Sequence, residues 1–274
     1  MKKEVYWPRV IKIDKEKIEK NPIDEIKNKI MIFIEKVKDN NKRAMLESVY
    51  LNNIFYTKTI DKIKLLFNIL KSMDIVDRKF FVLDEYKNLV YMDTTLPIGH
   101  DQTISQPTTV ARMLLLLFEG IEKRKGKIEV YEIGSGSGWN AALIAYLLKI
   151  YKKNYNVYSV DRIQALINFA TKNIKKFENE KKIRLNLKLI CEDGFIYAND
   201  KKFDYIIFTA GIPNKHIEEK VRKMANKNLK QNGRLIAPET YGGIFIFEKE
   251  KEKIKLKKTQ ETYAFVPLLE GKIL

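Results

Sequence analysis

A run of closely spaced glycines follows an apolar stretch near the middle of this 274-residue chain. The run reads Gly134-Ser135-Gly136-Ser137-Gly138, and Glu132 stands two residues before it. Glycines let the backbone turn tightly and approach a ligand without interference from a Cβ atom. The spacing G-x-G-x-G differs from the G-x-G-x-x-G of dinucleotide binding, so a pyrophosphate is not the expected ligand. The acidic Glu132 instead favours a ligand that carries positive charge.

Two aspartates stand where further strands of the same sheet would end. Asp161 follows the apolar stretch 157–160, and a carboxylate there can accept hydrogen bonds from both hydroxyls of a ribose. Asp193-Gly194 follows the stretch 185–190, where an adenine edge would lie. A ribose, an adenine and a positive charge together describe S-adenosylmethionine, which we expect as the cofactor. An ordinary strand-to-helix glycine turn is the alternative, and the two aspartates in register count against it.

Few other side chains offer catalytic chemistry. His100 lies in a turn-rich segment, where a functional contact is conceivable, and His216 lies at the start of a Lys-rich helix, where a surface position is expected. The single cysteine, Cys191, excludes an intramolecular disulfide and a multi-cysteine zinc site. We expect Cys191 to fill a small buried space rather than act as a nucleophile, and we predict no metal site.

The order of apolar stretches predicts the elements that position these groups. From about residue 127 onward strands and helices alternate, which predicts a parallel α/β sheet with helices on both faces. The predicted strands are 127–133, 157–160, 185–190, 203–208 and 234–237, and the predicted helices are 139–151, 163–177 and 215–229. Alternating apolar and polar residues predict antiparallel edge strands at 244–247, 254–256 and 262–268. The segment 96–107 holds too many turn formers for a regular element.

The N-terminal part of the chain is predicted to be helical. Apolar residues at helical spacing indicate an amphipathic helix that Asn40-Asn41 would end, with Ile23, Ile26, Ile30, Phe33 and Val37 on its apolar face. A second helix is predicted near 43–52, and a third over 60–70 with Thr59 as its N-cap. We divide the chain into a helical N-terminal extension, residues 1–42, and a catalytic domain, residues 43–274.

Composition narrows the class and the expected compartment. The formal net charge is +17, but the lysines are spread along the chain, which favours a solvated Lys-rich surface over a nucleic-acid footprint. The longest apolar run, 113–118, is far shorter than the ~18 residues that cross a bilayer. The first residues show no apolar core of a secretory signal, so we expect a cytoplasmic protein without a membrane partner.

Several segments together resemble the protein-L-isoaspartate (D-aspartate) O-methyltransferase family. The loop Gln102-Thr-Ile-Ser-Gln-Pro107 is highly specific, whereas the glycine motif is shared by many methyltransferases. The other matching segments are Leu96–Gly99, Glu132–Gly138, Glu192–Gly194, Phe203–Ile207 and Phe265–Leu268. The resemblance covers about 60–274 and extends back to Arg43 at most. It implies a Rossmann-like S-adenosylmethionine-dependent sheet that methylates the free carboxylate of L-isoaspartyl residues in damaged proteins; the ester then closes to a succinimide.

The resemblance also implies the site residues. Ser105 would be the catalytic hydroxyl, and Thr103, Ser105, Phe265 and Val266 would contact the substrate. The implied cofactor-binding residues are Gln102, Thr103, Ile104, Ser105, Glu132, Gly134, Ser135, Gly136, Gly138, Asp161, Asp193 and Gly194. Two departures stand out: Asp101 replaces the family's usual glycine, and Trp139 replaces a frequent tyrosine. A carboxylate at Asp101 would repel a carboxylate substrate by roughly 3 kcal/mol at ~6 Å and an effective dielectric of ~20, unless it faces solvent.

A carboxylate acceptor with a pKa near ~4 is already ionised at neutral pH, so the reaction needs no strong general base. Two other functions stay open from the sequence. A nucleic-acid methyltransferase would suit the charge of +17, although the segment 208–213 lacks the Asn/Asp-Pro-Pro-aromatic run that amine methylation uses. A cofactor-binding peptide adaptor without activity would suit a loop altered at Asp101.

Overall fold

The computed structural model describes residues 21–273, and its N-terminal part is helical. The helices are α1 (Pro22–Glu35), α2 (Asn40–Asn53) and α3 (Ile60–Ile75). Helix α1 ends earlier than predicted, because Asn40-Asn41 begin α2 behind the Asp39 cap, which accepts from the N–H groups of Asn41 and Lys42. Residues 1–20 of the predicted extension lie outside the described part, and the division at residue 42 stays a prediction.

Helices α1 to α3 pack into the same core as the rest of the chain. Ile30 and Ile34 of α1 are buried in that core, as are the inward residues of α3. The predicted cap of α3 is confirmed, since the Thr59 hydroxyl accepts from the N–H of Lys62 at 3.3 Å. No helix within residues 21–273 combines the length and apolar character needed to span a bilayer.

The segment predicted to lack regular structure contains a short antiparallel hairpin. Strand β1 (Leu96–Gly99) pairs with β2 (Gln102–Ile104), and α4 (Pro107–Leu117) follows. The prediction was wrong here because the turn formers lie at the tip of the hairpin. Gly99, His100 and Asp101 all have positive φ values, of 87°, 54° and 56°, which is the backbone that tight hairpin turns use.

The predicted alternation of strands and helices is confirmed over residues 128–238. The elements are β3 (Ile128–Ile133), α5 (Trp139–Ile150), β4 (Tyr155–Asp161), α6 (Gln164–Lys181), β5 (Leu187–Cys191), α7 (Gly194–Tyr197), β6 (Phe203–Phe208), α8 (Lys215–Asn228) and β7 (Leu229–Pro238). Strands β7, β6, β3, β4 and β5 are parallel neighbours in that order. The order reverses at β3, so a cleft opens beside the carboxyl ends of β3, β4 and β6.

The C-terminal part supplies antiparallel strands, as predicted, with one correction. The remaining strands are β8 (Tyr241–Gly242), β9 (Ile244–Glu250), β10 (Lys253–Lys258) and β11 (Tyr263–Ala264). Strands β9 and β10 extend the main sheet beyond β7, giving seven strands. The predicted strand 262–268 shrinks to β11, which pairs with β8 in a separate small sheet. Beyond β11 the chain leaves β8 and makes only isolated parallel bridges within the described residues, such as the one between Pro267 and Gly211.

Candidate active site

The glycine turn joins β3 to α5 at the carboxyl edge of the sheet. The N–H groups of Gly134 and Ser135 donate to the carbonyl of Val160 at 2.8 and 3.2 Å, which ties the turn to β4. Gly134 has a φ of +100°, and a Cβ atom there would lie 2.1 Å from Thr209 Oγ1. Thr209 Oγ1 donates to the Gly134 carbonyl at 2.6 Å, so glycine is required for this close approach.

Glu132 lies behind the turn and is fully buried. Its Oε1 accepts from Asn140 Nδ2 at 2.7 Å, and its Oε2 accepts from the Ser159 hydroxyl in a short hydrogen bond. Burial raises the pKa of the Glu132 carboxyl to about 7. The sequence favoured Glu132 as a direct partner of the ligand's charge, but its side chain does not line the cleft.

The hydrogen bonds of ionised Glu132 fix the direction of the groups in front of it. The Ser159 hydroxyl donates to Glu132, so Ser135 must donate in the 2.6 Å bond that joins the two serines. Asn140 turns its amide nitrogen to Glu132, and its Oδ1 is buried with no partner among the described residues. Ser135 Oγ and Asn140 Oδ1 are therefore left as acceptors, which suits a donor such as an ammonium group.

Two adjoining cavities open along the carboxyl edge. The Asp193 cavity, about 570 Å³, is lined by Gln102, Ile133, Gly134, Val160, Asp161, Arg162, Ile163, Glu192, Asp193, Gly194, Phe195, Ala210, Pro267, Leu268 and Leu269. The Ser105 cavity, about 610 Å³, is lined by Gln102, Thr103, Ile104, Ser105, Val110, Met113, Gly134, Ser135, Gly136, Ser137, Trp139, Asn140, Asp161, Leu166, Thr209, Ala210 and Val266. Gln102, Gly134, Asp161 and Ala210 belong to both linings, so the two cavities form one cleft.

Asp161 lies where the two cavities meet. Its Oδ2 accepts from the N–H of Gly136 at 3.0 Å and its Oδ1 from the N–H of Ile163 at 3.1 Å. Burial raises the pKa of this carboxyl, and the backbone hydrogen bonds oppose the rise. Because a carboxylate oxygen carries two lone pairs, each oxygen can still accept one hydrogen bond from a diol.

Asp193 lines its cavity and organises the backbone around it. Its Oδ1 accepts from the N–H of Phe195 at 2.8 Å at the start of α7, and its Oδ2 from the N–H of Gly271 at 2.7 Å. Gly271 belongs to the C-terminal strap, residues 265–273, which crosses the cleft. Arg162 Nε donates to the Gly271 carbonyl at 2.7 Å, and the N–H of Ile273 donates to the Arg162 carbonyl at 2.7 Å. The strap thus covers the Asp193 cavity with apolar side chains.

The loop that carries Ser105 forms the opposite wall of the cleft. Thr103 and Ile104 lie beside it in β2, and all three residues line the Ser105 cavity. The Ser105 hydroxyl has no hydrogen-bond partner among residues 21–273, so it is free to bind a ligand. Asp101 is exposed at the hairpin tip, which removes the expected repulsion of a carboxylate in the cleft.

Trp139 closes the inner end of the Ser105 cavity. It is fully buried, and its indole Nε1 donates to the carbonyl of Val76 at 2.9 Å. Trp139, which stands where the family often has tyrosine, therefore links the start of α5 to the end of α3 by this hydrogen bond. Sequence reasoning singled out Trp139 but did not predict this contact.

The structure brings together most of the predicted site residues but not all of them. The cleft lining includes Gln102, Thr103, Ile104, Ser105, Gly134, Ser135, Gly136, Asp161, Asp193, Gly194 and Val266. Glu132, Gly138 and Phe265 lie outside the lining. His100 and His216 are exposed, and the Cys191 thiol is partly buried at 3.9 Å from the Arg162 carbonyl.

Other residues of the cleft were not predicted. Asn140, Thr209 and the apolar strap residues 267–269 line it, and Arg78 contacts the Ser105 carbonyl from behind. Asn140 lies two residues after the glycine motif, so its place on the first turn of α5 was the one available signal. The strap and Arg78 depend on contacts between distant parts of the chain.

The chain is similar in sequence to known methyltransferases over most of its length. Residues 52–273 match the sequence model of the family "Protein-L-isoaspartate(D-aspartate) O-methyltransferase (PCMT)". The chain is 37% identical over 199 residues to the protein-L-isoaspartate O-methyltransferase of Pyrococcus abyssi, covering 70% of this chain and 82% of that one. It is 34% identical over 208 residues to the Methanococcus aeolicus enzyme, covering 73% and 84%.

A solved structure is similar over nearly its whole length. It is the beta-aspartate methyltransferase (PCMT) from Plasmodium falciparum in complex with S-adenosyl-L-homocysteine, with a TM-score of 0.62 and 26% identity. The match covers 85% of this chain and 99% of that chain. A second solved protein-L-isoaspartate O-methyltransferase shares the fold with a TM-score of 0.59 at 23% identity.

Proposed function

The chain belongs to the protein-L-isoaspartate(D-aspartate) O-methyltransferase family, and we propose that it methylates the free carboxylate of L-isoaspartyl residues in damaged proteins. The observation that carries the proposal is the meeting of three features in one cleft. These features are the glycine turn, the Asp161 carboxylate and the unpartnered hydroxyl of Ser105.

The residues of the cleft fit S-adenosylmethionine. When bound, this cofactor supplies an electrophilic methyl carbon on a sulfonium centre. Asp161 would hold the ribose hydroxyls, and Asp193 with Gly194 would border the adenine. Ser135 Oγ and the unpartnered Asn140 Oδ1 offer acceptors to the ammonium of the methionine end. Glu132 would act from behind, by orienting Ser135 through Ser159 and by orienting Asn140 directly.

The acceptor side of the cleft needs to orient a group that is already reactive. An isoaspartyl carboxylate is ionised at neutral pH, so no base has to remove a proton. The Ser105 hydroxyl would donate one hydrogen bond to this carboxylate and aim its second oxygen at the methyl carbon. Thr103 and Val266 would contact the peptide on either side. Holding the reacting atoms in line at near-attack distance supplies the rate enhancement.

The product ester would complete the repair without further help from the protein. A neighbouring peptide nitrogen attacks the ester carbonyl, a five-membered succinimide forms and methanol leaves. Water then opens the ring at either carbonyl. We also propose that residues 43–274 form the catalytic domain, that residues 1–42 are an extension, and that the protein acts in the cytoplasm.

The test is transfer of a radiolabelled methyl group from S-adenosylmethionine to an isoaspartyl peptide and to its normal aspartyl twin. We expect label in the isoaspartyl peptide alone, and base-labile release of that label as methanol. Equal labelling of both peptides, or labelling of neither, would overturn the proposal. The second result would leave the peptide adaptor as the better description of the chain.

A further inference from the structure

Arg78 is a fully buried arginine that lies behind the acceptor wall of the cleft. Its Nη1 donates to the carbonyls of Val90 and Met92 at 2.9 and 3.1 Å. Its Nη2 donates to the carbonyls of Thr94 and Ser105 at 2.8 and 3.3 Å. A buried cation is costly unless its donors are satisfied, so the position demands a fork that reaches several acceptors at once.

The carbonyl of Ser105 is the contact that matters for chemistry. Strand β2 has ended at Ile104 and helix α4 begins at Pro107, so Ser105 has no ladder or helix partner. The Arg78 guanidinium replaces that missing support. Burial lowers the pKa of Arg78 only to about 10, so the group stays charged at neutral pH.

The segment 90–94 couples Arg78 to the other side of Ser105. Three carbonyls of this segment surround the guanidinium, and the same segment carries Asp93. Asp93 Oδ1 accepts from the N–H of Thr108 at 2.9 Å, which caps α4 where Gln106 provides no side-chain cap. Ser105 is therefore held between two anchors that both depend on the segment wrapped around Arg78.

Arg78 also contacts Trp139, a second residue of the Ser105 cavity. Its guanidinium carbon lies 5.4 Å from the centroid of the Trp139 ring. Trp139 lines the Ser105 cavity and begins α5 directly after the glycine turn. One side chain thus contacts both the loop that presents the hydroxyl and the residue that follows the glycines.

We propose that Arg78 is a positioning residue for methyl transfer, which sets the place of the Ser105 hydroxyl relative to the glycine turn. The inference rests on the proposed function, because it assigns Ser105 the role given there. Lysine cannot substitute, since a single ammonium has three tetrahedral donors and cannot reach four carbonyls around a plane.

The test compares Arg78→Ala and Arg78→Lys with the unchanged protein. A small misplacement of a reacting group costs on the order of 100-fold in rate, so we expect kcat of Arg78→Ala for an isoaspartyl peptide to fall ~10- to 100-fold. Calorimetry should give a Kd for S-adenosylhomocysteine within ~3-fold of the original value, because no hydrogen bond of Arg78 reaches a residue that we propose to hold the cofactor. Arg78→Lys should recover only part of the rate.

Added guanidinium separates positioning from general support of the fold. Millimolar guanidinium chloride should raise the kcat of Arg78→Ala by filling the vacated site. It should not raise the kcat of the original protein or of Ser105→Ala. The matched control is Lys249→Gln, which removes another buried cation that donates to a backbone carbonyl, that of Asn226 at 2.9 Å, away from the cleft. It should lower Tm and leave kcat unchanged.

Several results would overturn the inference. One is an unchanged kcat in Arg78→Ala. Another is a kcat that falls in proportion to a weakened affinity for S-adenosylhomocysteine and that added guanidinium does not restore. If Arg78→Ala does not fold, Arg78→Lys decides, and full activity there rejects the role. Failure of the unchanged protein to methylate the isoaspartyl peptide would instead reject the proposed function, so the two failures are distinguishable.

Discussion

The two walls of the cleft are built from different kinds of contact. On the cofactor wall, the glycine turn, Asp161 and Asp193 each lie at the carboxyl end of a strand or within two residues of it, and parallel strands bring their carboxyl ends to one edge. On the acceptor wall, Ser105 depends on Arg78, 27 residues away, and Trp139 depends on Val76, 63 residues away. The first wall follows from local sequence, and the second follows from tertiary packing.

This difference separates the expected consequences of mutation. Residues of the cofactor wall should act on the affinity for cofactor, because they make contacts that exist before the reaction begins. Residues of the acceptor wall should act on kcat, because they orient the carboxylate in the transition state. The comparison fails if a substitution on one wall produces the effect assigned to the other.

The largest effect is expected at Ser105. Ser105→Ala should lower kcat ~10- to 1000-fold and leave cofactor affinity nearly unchanged, the pattern of a lost transition-state contact. Steady-state kinetics with an isoaspartyl peptide and calorimetry with S-adenosylhomocysteine measure the two quantities. Ser72→Ala is a suitable control, since Ser72 is a buried serine of α3 outside the cleft. A normal kcat would remove Ser105 from the mechanism.

Glu132, behind the cofactor wall, should make the free energy of unfolding of the protein depend on pH. Burial raises the pKa of Glu132 from 4.5 to about 7. Between those pH values the folded protein keeps a proton that the unfolded chain has released. The contribution of Glu132 to the free energy of unfolding is therefore fully present below pH 4.5 and is lost as the pH rises through 7. The loss should reach about 3 kcal/mol, as a pKa difference of this size implies.

The variant Glu132→Gln isolates this contribution, because glutamine does not titrate. Urea unfolding of both proteins between pH 4 and pH 8 should show that the free energy of unfolding of the original protein declines relative to that of the variant. Two curves that stay parallel over this range would mean that Glu132 is not protonated in the folded state at mildly acid pH. The hydrogen-bond directions derived for Ser135 and Asn140 would then hold over the whole range.

Sequence patterns predicted the cofactor wall well. The strands and helices of residues 128–238 lie within a few residues of their predicted positions, apart from an earlier start of β7. Asp161 and Asp193 both reached the cleft, because a strand end and a parallel sheet are enough to place them. Glu132 was predicted to contact the ligand directly, but it lies buried behind the glycine turn. A sequence pattern alone does not separate a buried carboxylate from one that lines a cleft.

The acceptor wall was predicted only through family resemblance. Nothing in the run Asp77-Arg78-Lys79 distinguishes the buried Arg78 from the surface cations that are common in this chain. The hairpin over 96–104 was missed because its turn residues read as breakers. Val266 of the strap was predicted to reach the site, but the path of residues 267–273 across the cleft was missed, because its anchors, Gly271 and Ile273, hydrogen-bond to residues about 80 to 110 positions away in the chain.

A substitution at Asp161, on the cofactor wall, should change the affinity for the cofactor and little else. Asp161→Ala should weaken the binding of S-adenosylhomocysteine by ~1.5–3 kcal/mol, roughly 10- to 150-fold, as for hydrogen bonds to a charged group. At saturating cofactor, kcat should change much less. A calorimetric titration with the original affinity would refute the ribose role, and a large drop in kcat at saturation would contradict the division between the walls.

The smallest effect is expected at Asp101, the family departure on the acceptor wall. Its φ of +56° is a conformation that glycine adopts without steric cost, so Asp101→Gly should raise the free energy of unfolding by less than about 1 kcal/mol. Because the Asp101 carboxylate faces solvent, kcat/KM for an isoaspartyl peptide should change less than ~2-fold. His100→Gly is the matched control, with a φ of +54° and no ionised carboxylate. A tenfold rise in kcat/KM for Asp101→Gly alone would show that this charge reaches the substrate and belongs to the acceptor wall.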